Sequence, residues 1–114
     1  MGVILNKPDT STFMVKGTDY VTAGQKANTT LGTGATAEGY NATASGNYSH
    51  AEGNGTTANG TASHAEGNGT TASGQYSHAE GYGNTIASSA MAAHIEGRGN
   101  SISNAGTYAH AEGY

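Results

Sequence analysis

The sequence predicts an all-β fold, a parallel β-roll or solenoid with ~14-residue coils. The motif YSHAEG at Tyr48–Gly53 returns as ASHAEG, YSHAEG, AAHIEG and YAHAEG along the chain. The glutamates follow three 14-residue steps and then two 16-residue steps: Glu38, Glu52, Glu66, Glu80, Glu96 and Glu112. A fixed period is the mark of a solenoid, and this one is too short for helix-pair repeats, which need more than about 30 residues.

Each coil is predicted to contain two short strands and two tight turns. In SHAEG, alternation puts His and Glu on one face and Ser, Ala and Gly on the other, as expected of a strand. A second motif, TAxG, lies between the copies at 43–46, 57–60 and 71–74. Gly53-Asn54-Gly55, Gly67-Asn68-Gly69, Gly46-Asn47 and Asn59-Gly60 supply turn residues that tolerate a positive φ.

We divide the chain into a lead-in or cap at residues 1–20 and a β-roll repeat domain at residues 21–114. The roll would contain about six coils, the last of them truncated, with Val21–Gln25 in a degenerate first coil. The two 16-residue steps most simply contain a longer turn. Ile86, Met91, Ile95 and Ile102 predict a more apolar interior in those C-terminal coils.

Composition excludes several classes of function. The formal net charge is −4 with only four Lys and Arg, so we expect no nucleic-acid partner, which would need clustered basic residues. There are no cysteines and no apolar run long enough to span a membrane, so we expect no thiolate site and no membrane insertion by this segment. No nucleophile elbow, HExxH or phosphate loop is present. We therefore expect no catalytic residue, no cofactor and no enzymatic activity.

The repeat resembles the head repeat of trimeric autotransporter adhesins (YadA-like), which reads roughly SVAIGxxxxAxG with the same 14-residue period. Ser49, Ala51 and Gly53 match that pattern, whereas His50 replaces Val and Glu52 replaces Ile. The SHAEG variant is similar to repeats in tail-fibre proteins of phages and prophages of Gram-positive bacteria. The resemblance covers about residues 21–114. It implies a left-handed parallel β-roll, packed as a homotrimer around a threefold axis.

The repeated His and Glu leave three arrangements open. The side chains could form a half-solvated ladder in which each glutamate accepts a hydrogen bond. They could instead be buried inside the roll or the trimer as a pH-sensitive network, or three histidines from three chains could bind an ion on the axis. A repeated lone histidine is a weak ligand set, so we assign no metal ligand. The ladder residues are His50, Glu52, His64, Glu66, His78, Glu80, His94, Glu96, His110 and Glu112.

Tyrosines at turns or strand starts are the other candidate binding residues. Tyr40, Tyr48, Tyr76 and Tyr82 could present large faces with a polar tip to a sugar or a protein. The alternative is that they staple one coil to the next.

A third feature is the small-residue face of Ser, Ala and Gly, which lets backbones approach closely. Three copies packed on it would bury more area than one, which also predicts oligomerisation.

The function expected from these patterns is that of a structural or adhesive module in a trimeric surface fibre. A phage or prophage tail-fibre segment involved in host attachment is the first hypothesis, and the head of a bacterial adhesin binding host matrix is the alternative. A host-surface protein or glycan would be the receptor, and the chain would lie in a virion tail or at the cell surface. The threonine column at Thr43, Thr57, Thr71 and Thr85 keeps an ice-binding solenoid as a further alternative.

Overall fold

The computed structural model describes residues 15–16, 21–26 and 29–114. Of the predicted cap at residues 1–20, all but Val15–Lys16 lies outside the described residues. Twelve strands make up the regular structure of the described residues: β1 (Val15–Lys16), β2 (Val21–Gln25), β3 (Thr36–Ala42), β4 (His50–Asn54), β5 (Thr57–Ala58), β6 (His64–Asn68), β7 (Thr71–Ala72), β8 (His78–Ala79), β9 (Thr85–Ile86), β10 (His94–Ile95), β11 (Ser101–Ile102) and β12 (His110–Ala111).

Two sheets run along the solenoid. The first has the order β1-β2-β3-β4-β6-β8-β10-β12, and the second has the order β11-β9-β7-β5. All pairings are parallel except β1 with β2. From β4 onwards the chain alternates between the sheets, one strand of each per coil. The predicted all-β parallel solenoid with ~14-residue coils is confirmed, and five turns join the six strands from β3 to β12 in the first sheet.

The register places equivalent residues of successive coils beside each other. His50 pairs with His64 and Glu52 with Glu66 in the first sheet. Thr57 pairs with Thr71 in the second sheet. Upstream, β2 pairs in parallel with β3, with Val21 opposite Thr36. From β4 to β8 the paired residues are identical from coil to coil, so their side chains form columns of like residues along the axis.

Small side chains fill the interior. Ala51 and Ala65 from the first sheet and Ala58 from the second are fully buried, and Ser49 keeps only 2% of its surface. The Ser and Ala face is therefore buried inside the coil of a single chain. The prediction that this face would pack between three chains is wrong, because the opposite sheet of the same chain already covers it.

The two 16-residue coils are confirmed to carry longer turns. Seven residues separate β9 from β10, whereas five separate β7 from β8. Ile86, Ile95 and Ile102 fill the interior there, as predicted. Met91 does not join them: it lies in the longer turn with 39% of its surface exposed.

Asparagine replaces threonine in one inward column of these wider coils, where Asn84 is fully buried. Nδ2 of Asn84 donates to the carbonyl oxygens of Glu80 at 2.6 Å and Gly97 at 2.9 Å. The Oδ1 atom of Asn84 accepts from the backbone N–H of Asn100, the next residue of the column, at 2.7 Å. Asn84 thus links three backbone groups across neighbouring coils.

The turn after each SHAEG motif uses glycine as predicted. Gly53 and Gly55 have φ values of 109° and 65°. Gly46 has no positive φ, contrary to the prediction for that turn. A Cβ atom at Gly46 would instead overlap the carbonyl group of Gly60 in the next coil, so this position needs glycine for close approach.

The result is a column of coils in which the histidine rings of successive coils are 4.7 to 5.0 Å apart. Among the described residues, we find no helix of the length and apolar character that a membrane crossing would require.

Candidate functional site

Each predicted histidine begins a strand of the first sheet, and its glutamate follows two residues later. Both side chains point to the outer face, because the residue between them faces the interior. We call this surface the His–Glu column. It contains Glu38 and the ten predicted residues: His50, Glu52, His64, Glu66, His78, Glu80, His94, Glu96, His110 and Glu112.

The imidazole rings form a continuous stack. Ring centroids are 4.7 Å apart from His50 to His64 and from His64 to His78. The next two steps are 5.0 and 4.9 Å, and adjacent planes differ by no more than 9°. The in-register pairing sets this spacing, since parallel strands lie about 4.8 Å apart.

Every histidine contacts the glutamate of the preceding coil. The Nε2–Oε1 distance is 2.9 Å for His50–Glu38, 3.2 Å for His64–Glu52 and 3.0 Å for His78–Glu66. It is 3.3 Å for His94–Glu80 and 3.4 Å for His110–Glu96. When Nε2 carries the proton, each imidazole donates to a carboxylate one coil away, so the side chains reinforce the backbone ladder between coils.

The column lies on the surface of the single chain and is not buried within the roll. Its paired histidines and glutamates keep between 32% and 52% of their side-chain surface exposed. The roll interior beneath them is occupied mainly by alanine and serine. Of the arrangements considered from the sequence, the geometry of one chain is that of a half-exposed, hydrogen-bonded ladder.

Two carboxyl groups of the column have pKa values below the ordinary range. The pKa of Glu52 is lowered mainly by the hydrogen bond from His64, with further contributions from Glu66 and the charge of His50. The pKa of Glu80 is lowered first by its hydrogen-bonding interaction with the Glu66 carboxyl group and then by the hydrogen bond from His94. Partial burial opposes both shifts. The column therefore favours the ionised form of these two carboxylates.

Within the described residues, the column also brings metal-ligating atoms together in four sets of three. In each set, all the ligand atoms lie within 4.8 Å of one another. The sets are His50–Glu52–His64, His64–Glu66–His78, Glu80–His94–Glu96 and Glu96–His110–Glu112. All of them lie within one chain, unlike the threefold-axis site considered from the sequence.

The four predicted tyrosines lie on the surface but not in one cluster. Tyr40, Tyr48, Tyr76 and Tyr82 are 67%, 66%, 60% and 54% exposed. Tyr48 and Tyr76 occupy the residue before SHAEG and have φ values of 60°. The equivalent residues Ala62, Ala92 and Tyr108 have φ values of 54°, 53° and 61°, so this conformation belongs to the turn of the repeat and not to the tyrosine side chain.

One coil-to-coil aromatic contact was missed by the sequence reasoning. The guanidinium carbon of Arg98 lies 5.1 Å from the ring centroid of Tyr82 and 5.2 Å from that of Tyr114. The sequence does contain a signal for this contact. Tyr82, Arg98 and Tyr114 each directly follow the Glu-Gly of their motif, so the repeat register places them side by side in successive coils. Tyr82 therefore has a stapling role, through a cation–π contact.

The threonine column lies on the second sheet. Thr57 and Thr71 are partly exposed beside Asn59 and Ser73. The Oγ atom of Ser45 donates to Oδ1 of Asn59 at 2.6 Å, so a polar ladder accompanies the threonines.

No family model, curated protein or solved structure matches the chain.

Proposed function

We propose that the chain is a structural, rod-forming module of a trimeric surface fibre, in the first instance a phage or prophage tail fibre. It would space or display a surface for host attachment. The observation that carries the proposal is the in-register stacking of coils, with one step of 4.7 to 5.0 Å from each histidine ring to the next. The left-handed sense of the roll, the trimer and the attachment to host cells are what the family resemblance implies.

Stacking makes the rod stiff along its axis. Backbone hydrogen bonds join each coil to the next on both sheets, for example from His50 N–H to the carbonyl of Ser63 and from Thr57 N–H to that of Thr70, each 2.9 Å long. The side-chain ladder of the His–Glu column runs in the same direction. A module of this kind transmits force along its axis and keeps its two ends at a fixed distance from each other, as a fibre requires.

Because the interior consists mainly of small side chains, we expect a partner chain to bury further apolar area on an outer face. Most inward positions hold Ala, Ser or Thr, so each coil removes little apolar area from water. The outer faces present the large side chains, including Tyr40 at 67% and Tyr48 at 66% exposure. We therefore place the contact between chains on the outer faces.

A bacterial adhesin head that binds host matrix is the alternative, since it has the same architecture. Domains attached to this segment in the full protein would separate the two: a signal peptide and a membrane anchor in an adhesin, tail or chaperone domains in a phage fibre. No enzymatic activity is proposed for either, because the same His–Glu pair recurs in five copies, whereas an active site is a single constellation.

Light scattering on a sizing column, together with circular dichroism, tests the proposal. A trimer of 11.3-kDa chains would have a mass of about 34 kDa. That mass with a strand signal is the expected result. A folded monomer at all concentrations would overturn the trimeric fibre and leave a single-chain solenoid.

A further inference from the structure

We propose that the His–Glu column binds divalent transition-metal ions of the Zn²⁺ class within a single chain, two ions per chain. This goes beyond the proposed function and does not depend on a trimer. It also departs from the sequence expectation, which assigned no metal ligand.

The donor atoms suit this class of ion. Imidazole nitrogen with carboxylate oxygen is a ligand set for Zn²⁺ and its neighbours, whereas Mg²⁺ and Ca²⁺ prefer oxygen alone. Two ligands bonded to one tetrahedral Zn²⁺ ion lie about 3.4 Å apart, since each bond is about 2.1 Å. The His64–Glu52 and His78–Glu66 pairs are 3.2 and 3.0 Å apart. Each cross-coil pair therefore already has nearly the spacing of two ligands on one ion.

The third ligand of each set is close by. Nε2 of His50 lies 3.9 Å from Oε2 of Glu52, and Nε2 of His64 lies 4.0 Å from Oε2 of Glu66. The ligand atoms of a set are at most 4.8 Å apart, and two ligands of one Zn²⁺ ion lie about 3.4 Å apart. Side-chain movements of at most about 1.4 Å would therefore bring three ligand atoms onto one ion. These side chains keep between 32% and 37% of their surface exposed, so they can rotate without disturbing the interior.

The charge of the column favours a cation. Residues 29–114 contain six glutamates and a single Lys or Arg, namely Arg98. That guanidinium lies over the rings of Tyr82 and Tyr114. With neutral histidines, one negative charge recurs in every coil, and like charges at this spacing repel one another. A bound divalent ion would relieve the repulsion.

Shared residues fix the stoichiometry. His64 belongs to both N-terminal sets, and Glu96 belongs to both C-terminal sets. Nε2 of His64 has one lone pair, so only one N-terminal set can be filled at a time. With Glu96 giving one oxygen to one ion, the C-terminal sets are limited in the same way, which gives two ions per chain. Metal binding takes the Nε2 lone pair, so the proton of a neutral imidazole moves to Nδ1 and the hydrogen bond to the carboxylate is replaced.

Isothermal titration calorimetry with ZnCl₂ at neutral pH, in a buffer that does not bind zinc, is the test. We expect two ions per chain, and Co²⁺ should give the absorption bands of a tetrahedral site. His64→Gln removes both N-terminal sets, so the stoichiometry should fall to one. His94→Gln is the matched control: it removes one C-terminal set but leaves Glu96–His110–Glu112, so two ions should still bind.

Several outcomes would overturn the proposal. These are the lack of saturable binding, one ion for each of the five histidines, one ion per three chains, or equal losses in the two glutamine variants. Circular dichroism establishes that each variant is folded. If His64→Gln does not fold, the double variant Glu52→Gln with Glu66→Gln removes the same two sets without altering the ring stack, and it should also bind one ion.

Discussion

Nε2 of His64 lies 3.2 Å from Oε1 of Glu52 in the preceding coil and 4.0 Å from Oε2 of Glu66 in its own coil. The shorter distance is the one between coils. The imidazole thus ties neighbouring coils together along the axis, and its own glutamate is left to accept from the next histidine, His78. The same relationship recurs from His50 to His110, so the column acts as a series of cross-coil clasps.

Acid should weaken these clasps. The folded-state pKa values of Glu52 and Glu80 lie below the ordinary value of 4.5, so their contribution is present above that pH and is lost as the pH falls through the lowered values. We expect the melting temperature, followed by circular dichroism, to decrease below about pH 4.5. The double variant Glu52→Gln with Glu80→Gln should show a smaller decrease; an unchanged decrease would assign it to other groups.

Gly53→Ala should destabilise the fold much more than Gly55→Ala. Both glycines have a positive φ, which costs an L-residue about 1–2 kcal/mol. A Cβ at Gly53 would also overlap the carbonyl oxygen of Gly67, whereas a Cβ at Gly55 meets open space. Urea denaturation of the two variants measures the difference. Equal losses would mean that the coils can move apart to accommodate a methyl group.

Tyr76→Asn should leave stability unchanged or raise it by up to about 1 kcal/mol, because asparagine tolerates a positive φ better than tyrosine does. Tyr76 has a φ of 60° and is 60% exposed, so little packing would be lost. Tyr40→Asn is the comparison, because Tyr40 is similarly exposed but has no positive φ. A clear loss of stability in Tyr76→Asn alone would show that the ring staples neighbouring coils.

Asn84→Ala should lower the free energy of unfolding by about 3 kcal/mol, at roughly 1 kcal/mol for each of three hydrogen bonds lost to backbone groups. Thr56 occupies the same inward column two coils earlier, and its buried hydroxyl has no hydrogen-bond partner among the described residues. Thr56→Val should therefore be neutral or stabilising. Chemical denaturation compares the two, and a costly Thr56→Val would point to a water on that hydroxyl.

The coil and its two faces could be predicted from the sequence because both depend on local periodicity. The 14-residue step sets the repeat, and alternation in SHAEG puts Ala51 inside and His50 outside. What covers each face depends on the second sheet, which local patterns do not position. For this reason the local patterns wrongly predict contacts between chains for the small-residue face and an interior position for Met91.

The site was predicted as a set of residues but not as a geometry. The glutamate that each histidine contacts depends on the side-chain tilt between coils, which the sequence does not state. The positive φ of Tyr48 was also missed, because tyrosine is not a residue associated with that conformation. Local patterns also do not distinguish Asn84 from the other polar residues, because its burial depends on its place in the wider coil.

The near identity of the coils around His50, His64 and His78 has a consequence for how the chain reaches its native pairing. If one of these coils looped out, its neighbours could close the gap, and every alanine, glycine and histidine would find an equivalent partner. Such a slipped form would differ little in energy until the error reached the longer coils. There the buried Oδ1 of Asn84 accepts from the backbone N–H of Asn100, and Ile86 pairs beside Ile102. The C-terminal coils therefore define the correct register for the near-identical coils before them.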